Sequence, residues 1–198
     1  MADSTSICNS ALAKLGSGMI MSLTDDSKQA QFCSRFYDET RDEVLSSHRW
    51  NFAMRRATLS RLADAPEFEW AFAYQLPTDC LRVVQLNGAE PSEREGEFAV
   101  ERNMLMTDAD VAQVRYIARI TDGSLYPPLF VEALATKLAS KLAGPITGSR
   151  QLPAELLREY EVITGPKARM ADVFEEQRRR KQPWVFSDLV RARYARGM

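Results

Sequence analysis

The sequence predicts a mainly helical α+β protein, in which an antiparallel β-rich insertion interrupts a bundle of about four helices and an extended C-terminal tail follows. Apolar residues recur at helical spacing towards both ends of the chain. Short apolar runs bounded by turn residues fill the middle, and the last residues mix arginines with aromatics. We therefore expect a helical bundle from residues 1–47 and 125–180, a β-rich insertion over 48–124 and a docking tail over 181–198.

Two helices are predicted before the insertion. Residues 4–15 place apolar side chains on one stripe, with Ser4 or Ser6 suited to cap the first turn and Gly16 to end the helix. Residues 27–47 form a longer amphipathic helix, because an apolar face stands opposite a charged one. The candidate caps of this second helix are Asp25, Asp26 and Ser27.

Two more helices are predicted after the insertion. Residues 127–143 begin with two prolines, a residue type suited to a first helical turn, and carry leucines at helical spacing among small alanines. We expect Gly144 and Pro145 to end this helix. The last helix runs from about 153 to about 180, and Gly165 with Pro166 predicts that it is either kinked or split there.

The central region, from about residue 48 to 120, predicts one small antiparallel sheet, since short and partly alternating apolar runs are separated by turn signals. Its aromatic and apolar side chains are mostly interpreted as packing residues that attach the insertion to the bundle. These residues are Trp50, Phe52, Trp70, Phe72, Tyr74 and Leu76.

Composition indicates an ordinary globular protein, with 45% hydrophobic and 27% charged residues among 198. No run reaches the roughly 18 to 20 apolar residues of a membrane span, and the N-terminus lacks the pattern of a signal peptide, so we expect synthesis into a cytoplasm. Cys8, Cys33 and Cys80 are odd in number and widely spaced. They are interpreted as packing residues, and neither a disulfide framework nor a zinc site is expected.

The net charge of −1 conceals an asymmetry between the tail and the rest of the chain. Residues 178–198 sum to +6, so the first 177 residues sum to −7. An acidic body with a basic tail favours head-to-tail complementarity between molecules, or a tail that meets an acidic partner.

Signatures of catalysis are scarce in the sequence. His48 is the one histidine, and no phosphate-binding loop, dinucleotide-binding glycine motif, zinc-protease motif or nucleophile signature accompanies it. We expect a structural role for His48 at a helix end, and no enzyme activity, cofactor or metal. A small hydrolase that works through His48 is retained as one alternative hypothesis.

The basic tail supports a second alternative, a DNA-binding regulator or packaging accessory protein. Arginines interleaved with aromatics neutralise phosphates and stack on bases. The acidic body would repel DNA, however, and the apolar residues of the tail are as dense as its basic ones, so protein docking is favoured over nucleic-acid binding.

Three segments in a fixed order carry a resemblance to a known family. They are ICNSALAKLG at 7–16, FYDETRDEVLSSHRWNFAMRRATL at 36–59 and WAFAYQLPTDCLRV at 70–83. Together they resemble the phage head-to-tail adaptor family, which includes tail tubular protein A and the tail accessory factors of short-tailed phages. The resemblance covers about the first 90 residues by motif and the rest by layout.

The resemblance implies a virion protein that forms a ring, expected to be dodecameric, beneath the portal at the head–tail junction. In this family the bundle forms the ring body, the β region faces neighbouring subunits or the tail nozzle, and DNA passes through the channel as cargo. No membrane partner is implied, and assembly takes place in the host cytoplasm. Carried onto this chain, the implied portal contacts are Trp184, Phe186, Leu189, Arg191, Arg193 and Tyr194. The family also implies an uninterrupted last helix, whereas Gly165 and Pro166 predict a kink or a split in this chain.

A ring requires a heterologous contact that repeats around an axis. The second predicted helix offers acidic side chains for this contact, and the start of the insertion offers basic ones. We therefore expect the subunit interface to contain Asp38, Asp42, Arg55, Arg56 and Arg61.

Overall fold

The computed structural model describes residues 2–64, 66–89 and 97–179, with side chains described as far as Glu175. These described residues form four helices and two antiparallel sheets, which confirms the predicted α+β class. The helices are α1 (Ser4–Lys14), α2 (Lys28–Ser46), α3 (Pro128–Thr147) and a last helix of three parts, α4 (Leu152–Glu159), a π-helical stretch (Tyr160–Thr164) and α5 (Gly165–Arg179). The strands are β1 (Met54–Thr58), β2 (Ser60–Arg61), β3 (Phe72–Gln75), β4 (Cys80–Leu86), β5 (Ala99–Glu101), β6 (Met104–Thr107) and β7 (Gln113–Ala118).

Short polar side chains begin the first two helices. Asp3 caps α1, because its carboxylate accepts the N–H of Ser6 at 2.7 Å while the Ser6 hydroxyl accepts the N–H of Asp3 at 2.9 Å. The prediction of Ser4 or Ser6 as the cap was therefore wrong, since the carboxylate one residue earlier takes that role. Ser27 caps α2 as predicted, accepting the N–H of Ala30 at 3.1 Å.

Helix α3 lies at the centre of the bundle and contacts α1, α2, α4 and α5. Phe130, Leu134, Leu138 and Leu142 are buried, and the alanines between them are buried as well, which allows close helix packing. The helix continues past Gly144 and Pro145, where we had predicted its end. Packing on all sides outweighs the local preference there, and the helix ends at Gly148, whose φ of 73° is the left-handed conformation that favours glycine.

The last helix changes its winding at the predicted interruption. Between α4 and α5 the chain forms the π-helical stretch, and Gly165 with Pro166 follows it directly. Pro166 has no N–H to donate to the preceding turn. The wider turn brings the Tyr160 carbonyl close to Gly165, so that a Cβ at Gly165 would lie 2.7 Å from that oxygen. The helix therefore runs on through a π-bulge, which is a documented cause of helix distortion.

The strands form two antiparallel sheets, where the sequence had predicted one. The three-stranded sheet has the order β1-β7-β4, and the four-stranded sheet has the order β2-β3-β6-β5. Buried Leu59 alone separates β1 from β2, and its N–H donates to the Ala112 carbonyl at 2.9 Å. The chain therefore passes from one sheet to the other within a single residue, too short a break to be read as a turn signal.

An aromatic cluster joins the β region to the bundle. Trp50 and Phe52 pack edge-on against Phe130 of α3, with ring centroids 5.0 and 4.9 Å away, and Tyr126 completes the cluster. The indole N–H of Trp50 donates to the Val44 carbonyl at 2.9 Å. Trp50 and Phe52 thus attach the β region as expected, and one continuous core extends from the helices into both sheets.

Candidate protein-interaction surfaces

The six predicted portal contacts fall in residues 180–198, outside the described part of the chain. They are Trp184, Phe186, Leu189, Arg191, Arg193 and Tyr194. Helix α5 leads directly into this segment.

Asp38 and Asp42, predicted at a subunit interface, both contact Arg41 of their own helix. Arg41 is only 7% exposed and lies 2.7 Å from Asp38 and 2.8 Å from Asp42. Burial opposes the charge of Arg41, but the hydrogen bond to Asp42 and the negative charges of Asp42 and Asp38 together outweigh burial and raise the pKa of Arg41. Asp42 also accepts from Arg119 at 2.7 Å, just beyond β7. Asp42 thus joins α2 to the β region, and Asp38 remains exposed.

The three predicted interface arginines differ in their surroundings. Arg55 pairs with Asp79 at 2.8 Å. Arg61 pairs with Asp110 at 3.2 Å, and its guanidinium lies 3.7 Å from the centre of the Phe72 ring. Exposed Arg56 has no ion pair with any described residue. Two of the three arginines are therefore already neutralised within their own chain.

Sequence reasoning missed two arginines that the three-stranded sheet places beside Arg56. Arg115 of β7 stands directly opposite Arg56 of β1, and Gln85 of β4 stands opposite Arg115 on the other side. Arg82 lies on the same face, because it pairs with Ile117 two residues further along β7. We call Arg56, Arg82 and Arg115 the arginine face. Strand register alone unites them, since they are far apart in sequence.

An open cleft of about 390 Å³ lies against the arginine face. Its lining includes the polar residues Arg56, Thr58, Gln113 and Arg115, together with Ala57, Gly88 and Val114. Such a lining suits an anionic group, because guanidinium forks bind carboxylates and phosphates through charge-assisted hydrogen bonds.

The loops of the four-stranded sheet carry the opposite charge. A second open cleft, of about 430 Å³, is lined by acidic and aromatic side chains together with Arg102. At its edge Phe68 is 73% exposed between Glu67 and Glu69. We call residues 67–69 the acidic tip.

Large apolar side chains are exposed along the last helix. Five of them follow the outer side of the π-helical stretch and α5, with exposures between 40% and 65%. They are Val162, Ile163, Met170, Val173 and Phe174. The spacing of 163, 170 and 174 places them on one side of a helix, and we call the set the apolar stripe. Contiguous exposed apolar surface is typical of sites that bind protein partners.

His48 lies where α2 ends, next to a carboxylate of α5. Its Nε2 atom is 3.4 Å from Oδ2 of Asp172, without hydrogen-bond geometry, and its ring packs edge-on against Trp50 at 4.8 Å. Asp172 also accepts the backbone N–H of Asn51 at 2.9 Å. A small cavity of about 110 Å³ lies beside this group, between Trp50, residues 127–130 and the α5 residues Ala168, Ala171, Asp172 and Glu175. These contacts hold the end of α2 against α5.

The cysteines lie within or beside the core. Cys8 and Cys33 are buried, and the Cys33 thiol together with burial raises the pKa of Cys8. Burial raises the pKa of half-buried Cys80 to about 11. Neither Cys8 nor Cys80 therefore carries a thiolate at neutral pH, the form that acts as nucleophile or metal ligand.

In residues 2–64, 66–89 and 97–179, no three or more histidine, cysteine or acidic side chains come together in a group that could hold a metal ion. Among the helices of the described residues, none has the length and apolar character to cross a membrane.

Comparison with protein-family models and with curated proteins finds no match to this chain.

Proposed function

We propose that this protein is a structural component of a phage virion, a head-to-tail adaptor whose copies form a ring between the portal and the tail. The ring surrounds the channel through which DNA passes, and the protein makes no covalent change to a substrate. Its partners are further copies of itself, the portal protein and a tail protein below the ring. The number of copies, expected to be twelve, comes from the family resemblance alone.

The observation that carries this proposal is the apolar stripe. Val162, Met170 and Phe174 expose most of their surface on a helix whose inner side is already packed against α3. Several exposed apolar side chains on one side of a helix are unfavourable in water, and burial against a protein partner removes that cost. The stripe lies on the helix that leads into the arginine- and aromatic-rich residues 180–198, so both belong to one end of the chain.

The assignment of roles comes from the family resemblance, and this arrangement supports it. The helical bundle forms the ring body, and the last helix presents its outer side to other subunits. The tail then engages the portal through Trp184, Phe186, Leu189, Arg191, Arg193 and Tyr194. Trp, Tyr and Arg are the residue types that contribute most to binding at protein interfaces, which favours the tail as the anchor.

Electron microscopy of the purified protein, alone and mixed with its portal, tests the proposal. We expect rings on portals for the full chain, and a folded protein that no longer attaches after deletion of residues 183–198. His48→Ala serves as the control, because a variant without the imidazole should still decorate portals. Normal decoration by the truncated protein would show that the tail is not the anchor. Failure of the full chain to join portals would refute the adaptor role.

A further inference from the structure

The two sheets of the β region differ in charge. The strands of the three-stranded sheet contain four arginines and no acidic residue, and Asp79, which precedes β4, pairs with Arg55. The four-stranded sheet and its loops, over residues 60–75 and 97–112, include seven acidic residues and two arginines. Positive and negative charges nearly cancel over the whole chain, so the net charge does not reveal this difference between the sheets. It becomes visible only when charged residues are grouped by sheet.

The arginine face is positively charged without compensation from the described residues. Arg56 and Arg115 stand directly opposite each other on neighbouring strands, an arrangement that is destabilising for like charges. Arg115 donates to the Gln85 side chain at 2.8 Å, but its Nε is buried without a hydrogen-bond partner among the described residues. Burial lowers the pKa of Arg82, and the charge of Arg49 lowers it further. An added anion would relieve this repulsion.

The acidic tip has the complementary chemistry. Glu67 and Glu69 flank Phe68, whose ring is largely exposed. Two carboxylates beside an aromatic ring match a pair of guanidiniums, because carboxylates accept from guanidinium N–H groups and aromatic faces attract the same cation. Within one chain, no ion pair joins the acidic tip to the arginine face among the described residues, so both remain available for another molecule.

We propose that the acidic tip of one copy docks on the arginine face of the next copy. This inference rests on the proposed ring and identifies the contact that closes it. Glu67 and Glu69 pair with Arg56 and Arg115, and Phe68 packs against the guanidiniums in the cleft. The contact is heterologous, because two different surfaces meet, and its repetition around an axis generates a ring or a filament.

A second copy fits the arginine face better than DNA does. The cleft is local, with about 390 Å³ of space and two arginines in its lining, whereas DNA presents a long row of phosphates to a surface. The acidic loops of the neighbouring sheet would also repel that row, while they supply the carboxylates needed by another copy. Both halves of a protein contact are therefore present in one chain.

Two charge reversals at exposed positions test the contact. We expect Arg56→Glu and Glu67→Arg each to weaken self-association of the full-length protein at least about tenfold, since each places like charges together. Sedimentation velocity in low salt measures the association. Arg150→Glu is the matched control, because Arg150 is exposed on the loop between α3 and α4 and the charge change is the same. Circular dichroism establishes that every variant is folded.

Mixing the two reversed proteins provides the decisive measurement. The Arg56→Glu protein keeps its acidic tip, and the Glu67→Arg protein keeps its arginine face. In the mixture, Glu at position 56 of one protein meets Arg at position 67 of the other, so opposite charges are again paired. The mixture should therefore assemble where neither protein does alone. Absence of rescue would overturn the inference, as would a wild-type protein that stays monomeric at millimolar concentration.

A nucleic-acid role for the same surface gives a different result. If Arg56→Glu leaves assembly intact but reduces binding to double-stranded DNA, the arginine face is a nucleic-acid surface and the inference is wrong. Portal attachment is assayed separately by electron microscopy, so the adaptor proposal is tested independently of this contact.

Discussion

Two hydrogen bonds join Asn51 to Asp172, which lies 121 residues further along the sequence. The backbone N–H of Asn51 donates to the Asp172 carboxylate at 2.9 Å, and the Asn51 side-chain amide donates to the Asp172 carbonyl at 2.7 Å. Asn51 begins the β region and Asp172 lies on α5. The pair therefore fastens the last helix to the point where the chain leaves the bundle.

Removing this carboxylate should destabilise the whole fold. Asp172 is 8% exposed, so Asp172→Ala leaves a backbone N–H without its acceptor, and we expect a loss of about 2 kcal/mol in the free energy of unfolding. Asp172→Asn should lose less, because an amide oxygen still accepts this hydrogen bond. Urea unfolding measures both, with exposed Glu175→Ala as the control. Equal losses for the alanine and asparagine variants would contradict this role.

Two glycines, each followed by proline in a helix, should respond oppositely to alanine. Gly144→Ala should stabilise the protein by about 0.5–1 kcal/mol, since its Cβ would meet only Pro153 Cγ at 3.9 Å. Gly165→Ala should destabilise it by about 1–3 kcal/mol, because the Cβ would lie 2.7 Å from the Tyr160 carbonyl oxygen. Urea midpoints of the two variants give the comparison, and the same sign for both would be evidence against the π-helical stretch.

The two acids around Arg41 should differ in their contribution to stability. Asp42→Ala removes a partner from both Arg41 and Arg119, and we expect a cost of about 2 kcal/mol because Arg41 is buried. Asp38→Ala removes one exposed carboxylate and should cost less than about 1 kcal/mol. Thermal and urea unfolding distinguish these values. If Asp42→Ala leaves the free energy of unfolding unchanged, Asp42 is not needed for stability and is available to contact a neighbouring subunit.

Stability should fall in acid, in part because of Glu43. Burial alone would raise the pKa of Glu43, but the hydrogen bonds from Lys141 and Lys137 and the charges of these lysines together outweigh burial and lower the pKa below its ordinary value of 4.5. A lowered pKa contributes stability that is present above the ordinary value and is lost as the pH falls through the folded-state value. The free energy of unfolding should therefore drop between about pH 5 and pH 3, and Glu43→Gln should flatten that slope. Glu161→Gln, which changes an exposed residue, is the control and should leave the slope as it is in the wild-type protein.

Polar substitutions in the apolar stripe should weaken assembly without unfolding the protein. Met170→Ser combined with Phe174→Ser removes two exposed side chains that contact little of the core, so the unfolding midpoint should change only slightly. Self-association or portal attachment should weaken at least about tenfold, because buried apolar area is lost from the contact. Sedimentation and electron microscopy measure the two outcomes. Leu125→Ser, exposed elsewhere on the surface, is the control.

Local pattern was sufficient to predict the helices and the class of the fold. The stripes on residues 4–15 and 27–47 correspond to α1 and α2, because a helix repeats every 3.6 residues and its buried side must be apolar. Ser27 was recognisable as a cap for a similarly local reason. The end of α3 could not be predicted from Gly144 and Pro145, since its packing against four helical segments outweighs the propensity of two residues.

Which surfaces can meet another molecule depended on the tertiary structure. Among the arginines at the start of the insertion, sequence does not distinguish Arg55, which is paired with Asp79, from Arg56, which has no ion pair with a described residue. Strand register then adds Arg115 and Arg82 to the same face from distant parts of the chain. Sequence determined which residues are buried within helices, because that information repeats along the chain at short range. Only the folded chain decided which charges remain unpaired, because ion pairs depend on distances between residues far apart in sequence.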